Sequence, residues 1–133
     1  MPTFTFQKDE RLKSRKLIGQ LFREGSSVTA YPIRLIWVQT QLPTDTVKIQ
    51  FTQTIPRRSF RRAAHRNRIR RKLREAYRLH KHILYDFLEE RGEQYAFIFI
   101  YTAKEPLPYK RLAGATRKLM RKWQDKVAKQ AKG

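Results

Sequence analysis

The sequence of 133 residues contains no cysteine and few acidic residues. Without cysteine the chain can form no disulfide, no thiolate zinc site and no cysteine nucleophile. Only 11 Asp and Glu stand against 31 Lys and Arg, which leaves a formal net charge of +20 at pH 7. Charge of this size makes an isolated compact chain repel itself. We therefore expect an anionic partner, with nucleic acid as the first candidate and an anionic membrane as the second.

Targeting signals and long apolar runs are also missing. The N-terminal segment MPTFTFQKDERLKSRK lacks the continuous apolar run of a signal peptide. The longest apolar runs, such as Tyr95–Ile100, are far shorter than the ~20 residues that span a bilayer. We therefore expect a cytoplasmic protein without membrane contact. The length fits one domain over residues 1–133, with 1–10 as an N-terminal extension and 129–133 as a frayed tail.

Residue patterns of catalytic sites are absent as well. The sequence has no Gly-rich phosphate-binding loop and no nucleophile elbow, and its three His residues do not form a ligand triad. Four acids cluster at the end of a predicted helix, where they balance nearby Lys and Arg: Asp86, Glu89, Glu90 and Glu93. We predict no catalytic residue in this chain, no metal site, and no cofactor bound by the protein alone.

The positive charge is concentrated in one stretch, Arg57–Arg78, which reads RRSFRRAAHRNRIRRKLREAYR. It holds 11 of the 31 Lys and Arg and a single acid, Glu75. Apolar residues recur within and after it at helical spacing: Ile69, Leu73, Ala76, His80, Ile83 and Phe87. Like charges four residues apart repel by roughly 0.2–0.5 kcal/mol per pair. A polyanion would convert that repulsion into attraction, and arginine suits bidentate contact with phosphate.

Periodicity and turn signals place the remaining elements. Ser14 and Gly25 delimit a first helix, and Gly92 ends the long basic helix. The predicted elements are a helix after Ser14, strands Val28–Gln41 and Thr46–Thr54 paired as an antiparallel hairpin, helix Ala64–Arg91, central strand Tyr95–Tyr101 and helix Tyr109–Ala128. This order, α-β-β-α-β-α, predicts an α+β fold in which three helices pack on a small mixed sheet; one extra short strand is left open.

Three segments together carry a resemblance to a known family. Residues 66–77, RNRIRRKLREAY, resemble the Arg-Asn-Arg motif of the bacterial ribonuclease P protein subunit. Residues 11–25, RLKSRKLIGQLFREG, resemble that family's N-terminal segment, and Val47–Thr54 with the following basic loop resembles its strand and loop before the motif. The similarity spans roughly residues 11–123.

The resemblance implies a fold, a function and partners. The fold would include a left-handed β-α-β crossover, contrary to the usual right-handed rule. The function would be to bind ribonuclease P RNA and the 5′ leader of precursor tRNA during removal of that leader. Hydrolysis would be carried out by the RNA subunit with Mg²⁺, and no obligate protein partner is expected.

The resemblance also assigns roles to individual residues. The RNA-contact residues would be Arg62, Arg66, Asn67, Arg68, Arg70, Arg71, Lys72 and Arg74. The leader-binding cleft would be lined by Ile18, Phe22, Ile36 and Lys48. Ile18 and Ile36 stand where the family often has aromatic residues, which favours apolar contact over base stacking there. From the residues alone, a plain hydrophobic core is the favoured interpretation of Ile18 and Phe22; with the resemblance, core and cleft fit about equally well.

Three other functions are compatible with so basic a chain. A structural ribosomal-RNA-binding protein would share the charge but would not affect cleavage of precursor tRNA. A DNA-binding protein is disfavoured because the pattern contains no helix-turn-helix pair and no dimerising heptad. A metal-dependent nuclease would need Asp86 or Glu89 as ligands and would cleave RNA without an RNA subunit.

Overall fold

The structure, a computed structural model, describes residues 5–132, with side chains to residue 130. After a single 3₁₀ turn at Lys8–Glu10, the elements follow in chain order: α1 Arg15–Glu24, β1 Ser26–Ala30, β2 Ile33–Gln39, β3 Ile49–Thr54, α2 Ala63–Leu88, β4 Tyr95–Tyr101 and α3 Tyr109–Lys132. Three helices therefore accompany one four-stranded mixed sheet, which confirms the predicted α+β class.

The sheet has the strand order β1-β2-β4-β3. β1 and β2 form an antiparallel hairpin, β2 and β4 are antiparallel, and β3 and β4 are parallel. Since β4 is bordered on both sides and buried along nearly its whole length, the prediction of a central apolar strand is confirmed. The parallel pair β3–β4 is connected through α2, and the left-handed sense of this crossover stays a prediction.

The predicted pairing of the first strands is wrong. Val28–Gln41 is not one strand, because a turn at Tyr31-Pro32 divides it into β1 and β2. The hairpin is formed by Ser26–Ala30 and Ile33–Gln39, and β4 separates β2 from β3. The short connection between β2 and β3 suggested a hairpin, but β4 is apolar on both faces and gains most from the central position.

The two faces of the sheet are covered by different helices. Side chains of the odd-numbered residues, including Trp37, Phe51 and Phe97, pack with α2 and α3 in the main aromatic core. The even-numbered Ile36 and Ile98 belong to a smaller apolar cluster beneath α1. Adjacent residues of a strand point to opposite faces, so Ile36 and Trp37 contribute to different clusters.

The buried face of α2 departs from the predicted stripe after its first three turns. The fully buried residues are Ile69, Leu73, Ala76, Tyr77, Lys81, Leu84 and Leu88. The predicted stripe residues His80, Ile83 and Phe87 are only partly buried. α2 packs against α3 as well as the sheet, and the Phe87 ring lies 5.6 Å from that of Trp123 in α3. A helix with two packing partners buries a wider arc than a single stripe.

Lys81, which lies off the predicted apolar stripe of α2, is buried in the structure. Its Nζ donates to both carboxylate oxygens of Glu10, at 2.7 and 2.5 Å, and to the carbonyl of Thr5. The Tyr85 hydroxyl donates to the same carboxylate at 3.2 Å. Residues 5–10 of the predicted N-terminal extension are thus attached to the core, and residues 1–4 lie outside the described part of the chain.

The ends of the helices follow local capping chemistry. The Ser14 hydroxyl accepts a hydrogen bond from the Leu17 amide at 3.2 Å, which confirms the predicted start of α1. Glycine is required at position 25 because a Cβ there would collide with Ile36 and with the Leu21 carbonyl. Gly92 follows α2 with a φ of 68°, a left-handed conformation that glycine adopts without strain. α3 continues to Lys132, past the predicted end at Ala128; fraying of residues 129–133 stays a prediction.

Candidate nucleic-acid interface

The N-terminal half of α2 presents a basic surface that we call the α2 surface. It consists of the residues predicted to contact RNA: Arg62, Arg66, Asn67, Arg68, Arg70, Arg71, Lys72 and Arg74. The helix begins after Arg62 with no side-chain cap and no acid in its first turn. Unpaired amides and the helix dipole therefore add positive potential to that of the arginines.

Arg66 holds the preceding loop against the helix. Its Nη1 donates to the carbonyls of Phe60 and Arg61, at 2.7 and 2.8 Å. Phe60 is itself buried, with its ring 5.8 Å from that of Tyr101. The loop with the exposed Arg57 and Arg58 is thereby fixed beside the start of α2, and part of the Arg66 guanidinium is occupied within the chain.

Asn67, Arg68 and Arg71 are exposed at the centre of the α2 surface. The Asn67 side-chain oxygen accepts a hydrogen bond from Arg70 at 2.7 Å, which leaves its amide group free to donate. The ion pairs formed by the described residues 5–132 do not include Arg62, Arg68 or Arg71. These arginines therefore carry charge that no described acid neutralises by contact.

At and just beyond the far edge of the α2 surface, Lys72 and Arg78 form contacts within the chain. Lys72 donates to the Leu107 carbonyl at 3.2 Å. Arg78 forms an ion pair with Glu75 at 2.5 Å. The hydrogen bond from Arg78 lowers the pKa of the Glu75 carboxyl, with smaller contributions from the charges of Arg78 and Arg74. Uncompensated positive charge is thus greatest towards the N-terminus of α2.

Three of the predicted leader-binding residues lie on α1 or in the apolar cluster beneath it. Ile18 and Phe22 are one helical turn apart on α1, and Ile18 packs on the small cluster that contains the buried Ile36. Phe22 is 56% exposed, so it is not a core residue as the alternative interpretation supposed. Lys48 lines a recess at the C-terminal end of α2 with Glu89 and Glu93.

Two absences apply to the described part of the chain. Within residues 5–132, no three His, Asp or Glu side chains are grouped as metal ligands would be. None of the helices over the same range is long and apolar enough to cross a membrane.

Comparison with known proteins identifies the family. The family model described as Ribonuclease P matches residues 6–124. The chain belongs to the ribonuclease P protein family. It is 38% identical over 110 residues to the ribonuclease P protein component of Porphyromonas gingivalis strain W83, covering 80% of this chain and 77% of that protein. As a member of this family, the chain is an RNA-binding subunit of the endoribonuclease that processes tRNA, and a purely structural ribosomal role is not favoured.

Solved ribonuclease P proteins share the fold. The Staphylococcus aureus protein superposes with a TM-score of 0.65 at 17% identity, covering 86% of this chain and 94% of that one. The Thermotoga maritima protein gives a TM-score of 0.65 at 19% identity, covering 84% and 96%. The four-stranded sheet with three helices is therefore an architecture that ribonuclease P proteins have retained at low sequence identity.

Tyr31 and the basic face of α3 were not among the predicted site residues. Tyr31 is 59% exposed in the turn between β1 and β2. Tyr31 fell inside the predicted strand Val28–Gln41, although Pro32 directly after it is a turn signal.

Proposed function

We propose that the α2 surface binds the RNA subunit of ribonuclease P, and that the cleft between α1 and the sheet binds the 5′ leader of precursor tRNA. The observation that carries this proposal is the exposed group Arg62, Asn67, Arg68 and Arg71, to which no described acid is paired. Phosphate contacts of this kind supply affinity and a strong dependence on salt.

The leader cleft is supported by the exposure of Phe22. Its ring projects beside the apolar Ile18 while Ile36 forms the floor beneath α1. An unpaired nucleotide can stack on such a ring without regard to its sequence. A cleft of this chemistry suits a subunit that accepts many precursors with different leaders. Lys48 remains a proposed leader contact, and it lines a recess that also contains Glu89 and Glu93.

In this proposal the protein supplies binding and the RNA supplies catalysis. Mg²⁺ ions would act with the RNA subunit, as the family resemblance implies. Precursor tRNA and ribonuclease P RNA are the proposed partners, and no further protein is needed for the reaction.

Reconstitution tests the proposal directly. The purified chain is mixed with a bacterial ribonuclease P RNA at low Mg²⁺, and cleavage of a precursor tRNA is followed beside protein-alone and RNA-alone controls. We expect faster cleavage at the mature 5′ end, no cleavage by protein alone, and a weaker effect for Arg68→Ala/Arg71→Ala. Tight RNA binding without stimulation would instead indicate a structural RNA-binding role.

A matched pair of variants tests the cleft. Phe22→Ala should weaken binding of a precursor with a long leader, while binding of a precursor with no leader should be unchanged. Arg23→Ala alters the adjacent exposed residue of α1 and serves as the control. Equal losses for both precursors would argue against a leader contact at Phe22.

A further inference from the structure

A second surface combines an exposed aromatic residue with a cluster of cations. Tyr31 and Phe22 are the exposed large hydrophobic residues of the described chain, and only Phe22 belongs to the proposed cleft. Tyr31 borders a groove of about 640 Å³ along α3. The cations of this α3 groove are Lys110, Arg111, Arg117, Lys118 and Arg121.

The groove cations are exposed, and the ion pairs of the described residues do not include them. Two lysines farther along the helix differ. Lys122 and Lys126 donate to the carbonyls of Thr29 and Ser27, at 2.7 and 3.2 Å, and so hold α3 to the edge strand β1. A solvated helix face would interleave acids with bases, but Asp125 is the one acid between residues 109 and 130. The groove therefore concentrates positive charge that forms no ion pair within the described part of the chain.

Gly114 lies in the middle of the groove, and the chain's own packing does not require it. A Cβ at this position would meet only Arg117 Nη2, at 3.8 Å, an ordinary van der Waals distance. Glycine within a helix costs stability relative to alanine. An unneeded glycine between cations leaves room for a close approach by another molecule.

The position of the groove limits which bound molecule can contact it. α3 packs on the aromatic face of the sheet, whereas α1 and its cleft lie on the opposite face. A leader segment held beside Phe22 would therefore not occupy the groove. α2 is adjacent, since Lys72 contacts the Leu107 carbonyl before α3 and Arg117 Nη1 lies 3.3 Å from His80 Nε2. The molecule that covers the α2 surface is thus the one best placed to continue onto α3.

We infer that the α3 groove is a second contact for the RNA subunit, resting on the proposed binding of that RNA by the α2 surface. Its cations bind phosphates of one backbone segment, Gly114 admits that segment close to the helix, and the Tyr31 ring stacks on an unpaired nucleotide. Stacking on an exposed ring and backbone neutralisation together are the chemistry of single-stranded RNA contacts.

A matched pair of lysines on α3 tests the phosphate contact. Lys118 lies in the groove; Lys129 is equally exposed on nearly the same side of the helix, about 16 Å farther along. Affinity for ribonuclease P RNA is measured across a range of salt concentrations. Lys118→Ala should reduce the slope of log affinity against log salt by about 0.7–0.9, or roughly fivefold in affinity at 0.15 M salt. Lys129→Ala should leave both values unchanged.

Substitutions of Tyr31 distinguish a stacking contact from a contact that depends on charge. Tyr31→Ala should weaken binding of the RNA subunit by roughly five- to a hundredfold without altering the salt slope. Tyr31→Phe keeps the ring and should bind as the wild type does. Equal losses for both variants would assign the effect to the hydroxyl and overturn stacking.

Substitutions at Gly114 distinguish a role in RNA binding from a role in the stability of the fold. Gly114→Ala should raise Tm, because the added methyl group fits and alanine favours the helix. Gly114→Leu should retain at least the wild-type Tm and lose RNA affinity by filling the groove. A Leu variant that binds as tightly as the wild type would overturn the close approach.

The reference for all of these variants is Arg68→Ala/Arg71→Ala on the α2 surface. If the reference loses affinity but Lys118→Ala and Tyr31→Ala do not, the α3 inference fails and the proposed function stands. If neither set loses affinity, both fail. If the α3 variants bind the RNA subunit normally but the reconstituted enzyme binds precursor tRNA less tightly, the groove contacts the precursor and our assignment to the RNA subunit is wrong.

Discussion

The two ends of α2 use positive charge in opposite ways. Towards its N-terminus, the exposed Arg68 and Arg71 meet no described acid, so their charge is available to another molecule. Two turns before its C-terminus, Lys81 is buried against Glu10, which arrives from 71 residues away along the chain. Residue type alone therefore does not decide whether a cationic side chain is available to bind RNA. The deciding factor is whether the fold brings an acid into contact with it.

The largest expected effect comes from breaking the internal pair. Lys81→Met should lower the free energy of unfolding by about 3–5 kcal/mol, because it leaves the Glu10 carboxylate buried without its cation. Urea unfolding at neutral pH measures the loss. It should also loosen the N-terminal segment, since Lys81 holds the Thr5 carbonyl.

The double variant Glu10→Gln/Lys81→Met is the control for that experiment. It removes both charges, so most of the lost stability should return. A Lys81→Met chain as stable as the wild type would show that the pair is not formed in solution, and the contrast between the two ends of α2 would disappear.

The second-largest effect should be on RNA binding, with little change in the free energy of unfolding. Arg68→Ala/Arg71→Ala should weaken binding to ribonuclease P RNA by about 10–100-fold, equivalent to ~1.4–2.7 kcal/mol. Its free energy of unfolding should change by less than about 0.5 kcal/mol, because both side chains are exposed. Filter binding and urea unfolding on the same preparations separate the two quantities. A large loss of stability would mean that these arginines serve the fold.

The buried end of α2 should also respond to alkali. Burial, the nearby Glu10 carboxylate and the hydrogen bond to it raise the pKa of Tyr85 well above its ordinary value of 10.0. A raised folded-state pKa gives a contribution that is fully present below pH 10 and is lost as pH rises further. Tyr85 should thus account for a loss approaching 1.4 kcal/mol per pH unit above 10.

Tyr85→Phe isolates that contribution. The free energy of unfolding of this variant, measured in urea at pH 9, 10 and 11, should fall less steeply than that of the wild type. Parallel curves for the two proteins would indicate that Tyr85 titrates normally and that the environment of Glu10 is open to water.

The sequence predicted those features that depend on neighbouring residues. The Ser14 cap, the apolar β4 and the first turns of α2 follow from local spacing, and the structure contains them. The motif at Arg66–Arg71 also identified the family, because its order of arginine and asparagine is more specific than basic composition.

The features that sequence missed depend on contacts between distant segments. Nothing near Lys81 reveals that Glu10 will reach it, and a position off the apolar stripe gives no sign that this lysine is buried. Strand order was missed for the same reason, since a short connection from β2 to β3 does not indicate that β4 will insert between them. Lys48, which the family resemblance assigned to the cleft, lines a recess with Asp45, Glu89 and Glu93, and its contact with the leader stays a prediction.

The smallest expected effect tests repulsion within the basic end of α2 itself. Arg70 has Arg66 and Arg74 four residues away on either side, so Arg70→Gln should relieve two repulsive pairs of roughly 0.2–0.5 kcal/mol each. Loss of the hydrogen bond to Asn67 offsets part of that gain. At low ionic strength we expect a rise of less than about 1 kcal/mol in the free energy of unfolding, together with weaker RNA binding.

Arg78→Gln, on the same helix, is the matched control. Because Arg78 is paired with Glu75, its loss should lower stability by a few tenths of a kcal/mol. Both differences should shrink in 1 M salt, where the Debye length is about 3 Å. If both variants raise, or both lower, the free energy of unfolding at low salt, contact with an acid does not decide the role of these arginines. The difference between the two ends of α2 would then hold for Lys81 alone.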